Sequence, residues 1–228
     1  MTVDCAVTVD CAVRPERILP GTVEAAPRIW CRWAEQDAVL RLPASGPASA
    51  EPTVDELTVE LAAADVPAWR RQEYAAGRRL LAALLADVAP AAAGAPIKLR
   101  PGGKPELVGL PVGISIAHSH PMVAAAVAIG WDVGVDVEAD GPDDDRRWTW
   151  TVREACVKAT GTGLAGRPWR IPVADRSTGR WQDVHWRALY RLSPLPLSVA
   201  WLPRAADQPS NRPPQGTPNT QRRGSTES

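Results

Sequence analysis

The sequence contains no phenylalanine, few lysines and no excess of either charge. Lysine and arginine together number 26, as do aspartate and glutamate, and only three of the basic residues are lysines. A chain without a net positive field has nothing to attract a polyanion. The composition therefore argues against a dedicated nucleic-acid-binding protein and against recruitment to an anionic membrane. Two of the three lysines, Lys104 and Lys158, fall within the motifs described below.

Cysteines and long apolar runs are also scarce. The four cysteines show neither CxxC spacing nor histidine partners at the spacing of a zinc site, and a chain of 228 residues does not need disulfides to fold. The longest apolar run, residues 122–131, is far shorter than the roughly 20 residues of a membrane span. No basic region followed by an apolar one opens the sequence. We expect a cytoplasmic protein with reduced thiols.

Compositional bias marks both ends of the chain. The hexapeptide TVDCAV occurs twice within residues 2–13, and we interpret residues 1–27 as a poorly defined N-terminal extension. Residues 204–228 are rich in Pro, Gln, Asn, Ser and Thr and almost lack aliphatic side chains. Such a segment cannot bury enough apolar surface to offset the entropy of ordering, so we expect a disordered tail.

Hydrophobic periodicity predicts a helix in two pieces over residues 53–87, broken near Pro67, and a second helix at about residues 148–160 that Gly161 ends. The apolar face of the second piece of the first helix consists of Leu80, Leu81, Leu84, Leu85 and Val88. Strands are predicted at residues 28–42, 169–173, 181–191 and 195–201, with a hairpin turning at residues 118–121 and a further turn at residues 175–179.

Residues 131–138 alternate in the manner of a β-strand, which places Asp136 and Glu138 on the same side of it. Paired carboxylates repel each other unless a cation or a proton lies between them. Mg²⁺ prefers carboxylate oxygens, usually together with waters and substrate phosphates. In the helix predicted to follow, Glu154 and Lys158 are four residues apart and share one face. The pattern indicates a candidate metal site with a cation beside it.

Residues 98–105, KLRPGGKP, concentrate cations and glycines in a predicted turn. Glycines let the backbone approach a flat or anionic ligand closely, and Arg100 and Lys104 would supply positive charge. Taken alone, the same residues are better explained by an exposed basic turn. In the predicted hairpin, His118 and His120 alternate, so only one of them need face the site.

Four motifs in a fixed order resemble a known enzyme family. GGKP at residues 102–105, AHSH at 117–120, GVDVE at 134–138 and WTVREACVKATGTGL at 150–164 occur in the order seen in the 4′-phosphopantetheinyl transferase superfamily. The chain is similar to the larger, pseudo-twofold type, which activates carrier proteins of polyketide and nonribosomal peptide assembly. The resemblance covers about residues 70–202, and its last two motifs in tandem are specific.

This resemblance implies an α+β fold with two similar α/β subdomains in a pseudo-twofold arrangement, each an antiparallel sheet packed against a long helix. The N-terminal half would comprise residues 28–125, and the C-terminal half, with the metal site, residues 126–203. The family's members transfer the phosphopantetheine group of coenzyme A to a serine of an apo acyl or peptidyl carrier protein and release 3′,5′-ADP. A monomer whose halves bracket coenzyme A is therefore expected.

The resemblance also implies roles for individual residues. Asp136, Glu138 and Glu154 would bind Mg²⁺ at the diphosphate of coenzyme A. Glu154 and Lys158 would be catalytic, and the lysine would neutralise phosphate charge. The residues expected to hold coenzyme A are Arg100, Gly103, Lys104, Pro105, His118 and Ser119. Of these, the GKP turn would line the adenine, and His118 would meet the 3′-phosphate.

Three departures from the family pattern bear on activity. Ala117 stands where a phosphate-contacting serine is expected, and Arg153 replaces a lysine. Only residues 139–147 join the carboxylate strand to the helix, a link too short for the helical segment that the family has there. The acidic run 143–145 either supplies a ligand from a tight loop or is a solvated turn. Two main functions stay open: a transferase, or a degenerate relative that binds coenzyme A or a carrier protein as an accessory module. A third, weaker alternative is some other Mg²⁺-dependent phosphate-ester chemistry, such as hydrolysis of coenzyme A without a carrier.

Overall fold

The computed structural model of the protein describes residues 21–41, 67–139, 145–174 and 177–204. These residues form an α+β structure, as expected, in which strands build two antiparallel sheets and two long helices cover them. None of the helices in these ranges is both long and apolar enough to cross a membrane. The expected first helix piece before Pro67 and the expected tail after Arg204 lie outside the described residues.

The first sheet has six strands within the described ranges: β1 (Thr22–Ala26), β2 (Ile29–Glu35), β3 (Ile97–Leu99), β4 (Pro105–Leu107), β5 (Val112–Ser119) and β6 (Met122–Ile129). Their order across the sheet is β1-β2-β6-β5-β4-β3. A short helix, α1 (Gln36–Leu40), follows β2, and the long helix α2 (Ala68–Val88) packs on one face. There Leu80 and Leu84 meet Ile114 and Val127, because the apolar stripe of the helix faces alternate residues of the strands.

The second sheet has four strands among the described residues: β7 (Trp131–Val137), β8 (Thr178–Trp181), β9 (Val184–Ala188) and β10 (Leu197–Pro203). Their order is β7-β10-β9-β8. Helix α3 (Asp145–Thr160) packs on this sheet through Val152 and Cys156, which contact Trp186 and Ala200. A buried hydrogen bond of 2.8 Å between the hydroxyls of Thr151 and Ser198 also joins α3 to β10.

The uncovered faces of the two sheets pack against each other. Side chains alternate along a strand, so neighbours in sequence belong to different layers. Trp30 of β2 contacts the α2 layer whereas Cys31 lies between the sheets, and Val199 of β10 lies between the sheets whereas Ala200 faces α3. The layers therefore follow the order helix, sheet, sheet, helix, and a side chain of β7 points either to the first sheet or to α3.

Both long helices and the hairpin confirm their predictions, with small shifts at the ends. α2 begins at Ala68, directly after Pro67, which is tolerated at a helix start but not in a helix interior. α3 begins at Asp145, earlier than expected, and so uses part of the short link. Gly161, with φ of +72°, follows its last residue. β5 and β6 form the expected hairpin, whose turn contains His120 and Pro121.

Two strand predictions are wrong. Residues 36–40, expected to be extended, form α1, which carries Val39 into the core beside α2. Trp169 and Arg170, expected to begin a strand, belong to a single 3₁₀ turn. Pro168 starts that turn, and it has no N–H to donate to a sheet. Strand β8, conversely, begins inside the segment predicted to be a turn.

The two sheets divide the chain at Gly130, which lies between β6 and β7 with φ of +83°. The division expected from the family resemblance, between residues 125 and 126, falls within β6. The apolar run continues through β6, so the sequence marks the turn only by this one glycine. β1 lies within the stretch interpreted as an N-terminal extension, and it pairs with β2 along its length.

Helix α3 lies unusually close to β7 because Gly134 has no side chain. A Cβ atom at Gly134 would lie 2.1 Å from the carbonyl oxygen of Ala155 and 2.4 Å from the backbone nitrogen of Ala159. On the same strand's other face, a Cβ at Gly113 of β5 would lie 2.2 Å from the carbonyl oxygen of Trp131. β7 therefore packs closely against α3 on one face and against β5 on the other. The side chains of α3 that face β7 lie directly over the strand.

We predict that Gly134→Ala lowers the free energy of unfolding by about 3 kcal/mol, because α3 must move away from β7 to admit the methyl group. Gly94→Ala is the matched control: Gly94 has φ of +81° and open space around it, so only the left-handed backbone opposes the change, by about 1 kcal/mol. Urea unfolding measures both. Equal losses in the two variants would contradict the close approach.

Candidate functional site

Asp136 and Lys158 form the ion pair at the centre of the candidate site. β7 carries Asp136 toward α3, and the ammonium of Lys158 donates a hydrogen bond of 2.7 Å to its Oδ1. The Asp136 side chain is 9% exposed and that of Lys158 is 31% exposed. The second oxygen of Asp136, Oδ2, is buried and has no hydrogen-bond partner among the described residues. Half of a buried carboxylate is therefore left for a further cation or donor.

The electrostatics of Asp136 reflect this burial. Loss of solvent raises the pKa of Asp136 to about 6, an increase that Lys158 partly offsets, whereas the neighbouring charges of Glu154 and Glu138 raise it further. Glu138 and Glu154, predicted to share a site with Asp136, therefore act on it electrostatically. Glu138 follows β7 on the α3 side, where its carboxylate lies 3.7 Å from the guanidinium of Arg147.

The carboxylates do not form a complete metal cage by themselves. Within the described residues, no group of three or more His, Cys, Asp or Glu side chains lies close enough to hold a metal ion together. Mg²⁺, however, is commonly bound through one or two carboxylates, with waters and substrate phosphates completing its octahedron. The buried, unpartnered Oδ2 of Asp136 fits that kind of site.

Lys104, expected to present its charge to coenzyme A, is instead buried between the two halves. Its ammonium donates to the carbonyl oxygens of Val133 at 3.2 Å, of Lys158 at 3.1 Å and of Ala159. Burial lowers the pKa of Lys104 to about 8. The GGKP turn meets the end of α3 through its glycine too, since a Cβ at Gly102 would lie 2.7 Å from the carbonyl oxygen of Gly161.

The other residues of the turn are more open. Gly103 has φ of +83° and no atom within 4 Å of where a Cβ would stand, and Pro105 begins β4, half-buried. Arg100 is tied to two carboxylates: it donates to Glu106 at 2.5 Å and to Asp132 at 3.1 Å. The turn's positive charge is therefore largely committed to the protein itself.

Arg204 joins Arg100 in a network that sequence reasoning did not find. The guanidinium of Arg204 lies 3.7 Å from Asp132 and 4.0 Å from Glu106, and it donates to the carbonyl oxygen of Leu110 at 2.6 Å. Composition alone assigned Arg204 to the tail. The position of Asp132 near the site could have been predicted from the sequence, because Asp132 stands four residues before Asp136 on the same face of a strand.

Ser119 and His118, at the end of β5, face different neighbours. The hydroxyl of Ser119 accepts a hydrogen bond of 2.8 Å from the backbone N–H of Ala139, and Ser115 does the same for Val135 at 3.1 Å. Both serines thus attach β7 to β5. Two serines four residues apart in an otherwise apolar strand lie on the same face, and this pattern predicts that the face hydrogen-bonds to a neighbouring element. The sequence does not show which strand that neighbour is.

His118 packs against α2 in a space that Gly77 leaves open. A Cβ at Gly77 would lie 2.5 Å from Nε2 of His118, and the ring of Tyr74 lies 6.1 Å from the imidazole. Burial lowers the pKa of His118 to about 4, and the charges of Lys158 and Arg70 lower it too, against a hydrogen bond to the backbone of Glu73. At neutral pH the ring is uncharged, and its one N–H is directed at the backbone of Glu73. The other nitrogen, Nε2, is buried and can only accept, so the ring supplies neither a positive charge nor a hydrogen bond to a phosphate in this arrangement.

An open groove of about 590 Å³ adjoins Glu138 at the start of α3, but neither Asp136 nor Glu154 lines it. Glu138, Arg147, Trp150 and Arg153 are among the residues that line it. Arg153, which departs from the family pattern, donates to the carbonyl oxygen of Ile171 at 3.0 Å and is thereby fixed. The remaining residues of the acidic link, 140–144, lie outside the described ranges.

Comparison of the sequence with models of known protein families and with curated proteins gives no match. The family resemblance rests on the four motifs alone. Their contacts are informative nonetheless. The GGKP turn hydrogen-bonds to β7 and to the end of α3, Asp136 of β7 pairs with Lys158 of α3, and Ser119 at the end of β5 accepts from the residue after Glu138.

We predict that Lys158→Met destabilises the metal-free protein more than Asp136→Asn does. The first change leaves a buried carboxylate without its cation and should lower the free energy of unfolding by about 1–3 kcal/mol. The second leaves a partly exposed lysine whose ammonium can extend into water, at less than about 1 kcal/mol. Urea unfolding at neutral pH measures both, with Lys98→Met, at an exposed lysine, as the control. A larger loss in Asp136→Asn would contradict the assigned burial.

We also predict that His118 makes stability fall as the solution is acidified. Its folded pKa, about 4, lies below its ordinary value of 6.5, so between these values the unfolded chain binds a proton that the folded ring does not. Relative to His118→Asn, the wild type should lose stability as the pH falls from about 6.5 toward 4. Urea unfolding at each pH measures the difference, and His120→Asn, which removes an exposed imidazole from the same hairpin, is the control. A constant difference between wild type and His118→Asn would contradict the burial.

Proposed function

We propose that this protein is a Mg²⁺-dependent 4′-phosphopantetheinyl transferase, which uses coenzyme A to modify a serine of an apo acyl or peptidyl carrier protein. The observation that carries the proposal is the ion pair of Asp136 with Lys158, which joins the carboxylate motif to the α3 motif. The GGKP turn contacts the same strand and helix, and Ser119 of the AHSH motif bonds to the residue after Glu138. The proposed protein is a cytoplasmic monomer that acts on neither nucleic acid nor membranes.

The layer order also supports the proposal. Two antiparallel sheets, each covered on its outer face by one long helix, are what a pseudo-twofold pair of α/β subdomains requires. In the proposed fold α2 and α3 are the equivalent helices. The candidate site then lies where the end of β5 in one subdomain approaches β7 and α3 of the other.

The proposed chemistry is phosphoryl-group transfer. The serine oxygen of the carrier protein attacks the β-phosphorus of coenzyme A, the bond from that phosphorus to the oxygen of 3′,5′-ADP breaks, and the serine proton passes to a carboxylate, for which Glu154 is the candidate. Lys158 neutralises charge on the phosphoryl oxygens. Asp136, with Glu138 and Glu154, would hold Mg²⁺, which supplies further charge neutralisation at the diphosphate.

The cradle for coenzyme A is proposed to consist mainly of backbone and of an uncharged ring. Gly103 offers an open, side-chain-free surface for the adenine next to Pro105. The ring of His118 is proposed to lie beside the 3′-phosphate without donating to it, since its one N–H is directed at Glu73. Arg100, 31% exposed, and Ser119 contribute at its edges. The groove beside Glu138 and Arg147 gives room for a phosphate-bearing ligand next to one of the three carboxylates.

A specific observation favours the second candidate, a degenerate relative that binds coenzyme A or a carrier protein as an accessory module. The charges of the site are already engaged within the chain: Lys158 pairs with Asp136, Arg147 lies near Glu138, and Lys104 is occupied by carbonyl groups. A ligand must compete with these contacts. Charges that stay engaged within the protein do not stabilise a transition state, so a bound ligand would not be turned over.

Intact-mass measurement of an apo carrier protein separates the two candidates. After incubation with the purified protein, Mg²⁺ and coenzyme A, we predict that the carrier gains the mass of one phosphopantetheine group. Asp136→Asn and Lys158→Met should each lower the rate by about 10²–10³, because each removes charge stabilisation of the transition state. Lys98→Met, remote from the ion pair, should retain the wild-type rate. Absence of an adduct on several carriers, with binding of coenzyme A retained, would favour the accessory module.

A further inference from the structure

Lys104 is a buried lysine whose backbone lies in a turn of the first sheet and whose ammonium contacts the second sheet and its helix. It stands in the turn between β3 and β4 of the first sheet, yet its ammonium lies among backbone carbonyls of β7 and of the last turn of α3. The residue is 6% exposed. No acidic side chain is hydrogen-bonded to it among the described residues, so backbone oxygens take the place of a counter-ion.

The geometry suits the chemistry of a helix end. The last carbonyls of an α-helix have no partner within the helix, and the helix dipole makes that end negative. An ammonium has three protons to donate, and Lys104 directs hydrogen bonds at three carbonyl oxygens. Two of them, of Lys158 and Ala159, belong to α3. Its aliphatic stem passes over Gly161, where a Cβ would lie 3.1 Å from Cδ of Lys104.

One of these carbonyls belongs to Lys158, whose side chain donates to Asp136. Lys104 therefore restrains the backbone of the residue that carries the site's cation, and through Val133 it restrains the strand that carries Asp136. We propose that Lys104 is a positioning residue, which holds the last turn of α3 on β7 and so fixes Lys158 beside Asp136. Its effect on transfer rests on the proposed function, whereas the restraint on α3 does not.

A labelling experiment on the wild type tests the restraint without any variant. The chain has three lysines, at positions 98, 104 and 158, so reductive methylation with ¹³C-formaldehyde gives lysine signals that can be assigned one by one by NMR. Lys98 is exposed and Lys158 partly exposed. We expect Lys104 to react at least about tenfold more slowly than Lys98, because it reacts only when the turn opens. Equal rates in the folded protein would overturn the proposal.

Variants test the consequence for α3. In Lys104→Met, which keeps most of the stem but not the ammonium, amide hydrogen exchange in the last turn of α3 should quicken by about ten- to a hundredfold, with α2 unchanged. Lys104→Arg, which keeps the charge, should restore part of the protection, and Lys98→Met should leave it unchanged. If exchange at α3 does not change in folded Lys104→Met, the proposal is wrong. Should Lys104→Met fail to fold, the wild-type labelling and Lys104→Arg still decide.

Kinetics then distinguish positioning from ligand binding. A positioning role predicts that Lys104→Met lowers kcat and leaves KM for coenzyme A within about twofold, since the cation that acts on the transition state is misplaced. A raised KM with unchanged kcat and unchanged exchange would assign Lys104 to the ligand and overturn the proposal. If the wild type shows no transfer, the proposed function fails, but the labelling and exchange results still decide the role of Lys104.

Discussion

The backbone contact between α3 and β7 at Gly134 is the constraint on which the candidate site depends. Any side chain at this position would push the helix away from the strand, and Asp136 and Lys158 would then separate. The same contact brings the end of α3 within reach of the GGKP turn. A glycine placed two residues before a buried carboxylate therefore determines the geometry of the site without taking part in its chemistry.

Most charges around the ion pair are already paired before any ligand arrives. Asp136 is buried with Lys158, the Arg100–Arg204 network neutralises Asp132 and Glu106, and Lys104 is satisfied by carbonyl groups. Unpaired buried charge is avoided, as the energetics of desolvation require. At the ion pair itself, Oδ2 of Asp136 has no hydrogen-bond partner among the described residues. In a ligand that carries both phosphate and a divalent cation, the phosphate could contact Lys158 while the divalent cation contacts this oxygen of Asp136.

The sequence was sufficient to predict most helices and strands, but not which residues their side chains contact. Periodicity identified α2, α3 and the hairpin, because burial on one face leaves a repeating pattern, whereas the turn at Pro168 and the short α1 left none. Alternation put Asp136 and Glu138 on one side of β7. The motif order indicated that Lys104 and His118 belong to the site, yet their burial depends on Gly161 and Gly77, which are distant in sequence and meet them only after folding.

Paramagnetic broadening by Mn²⁺ in the presence of coenzyme A tests the central claim, that metal and coenzyme A bind where the motifs meet. Mn²⁺ accepts the same oxygen ligands as Mg²⁺ and broadens the NMR signals of nearby amides. The account predicts broadening that is strongest at residues 134–138 and 154–161 and in the turn 102–104, that weakens across β10 and β9 toward β8, and that is lost in Asp136→Asn. Unchanged signals around Asp136, or equal broadening in that variant, would contradict it.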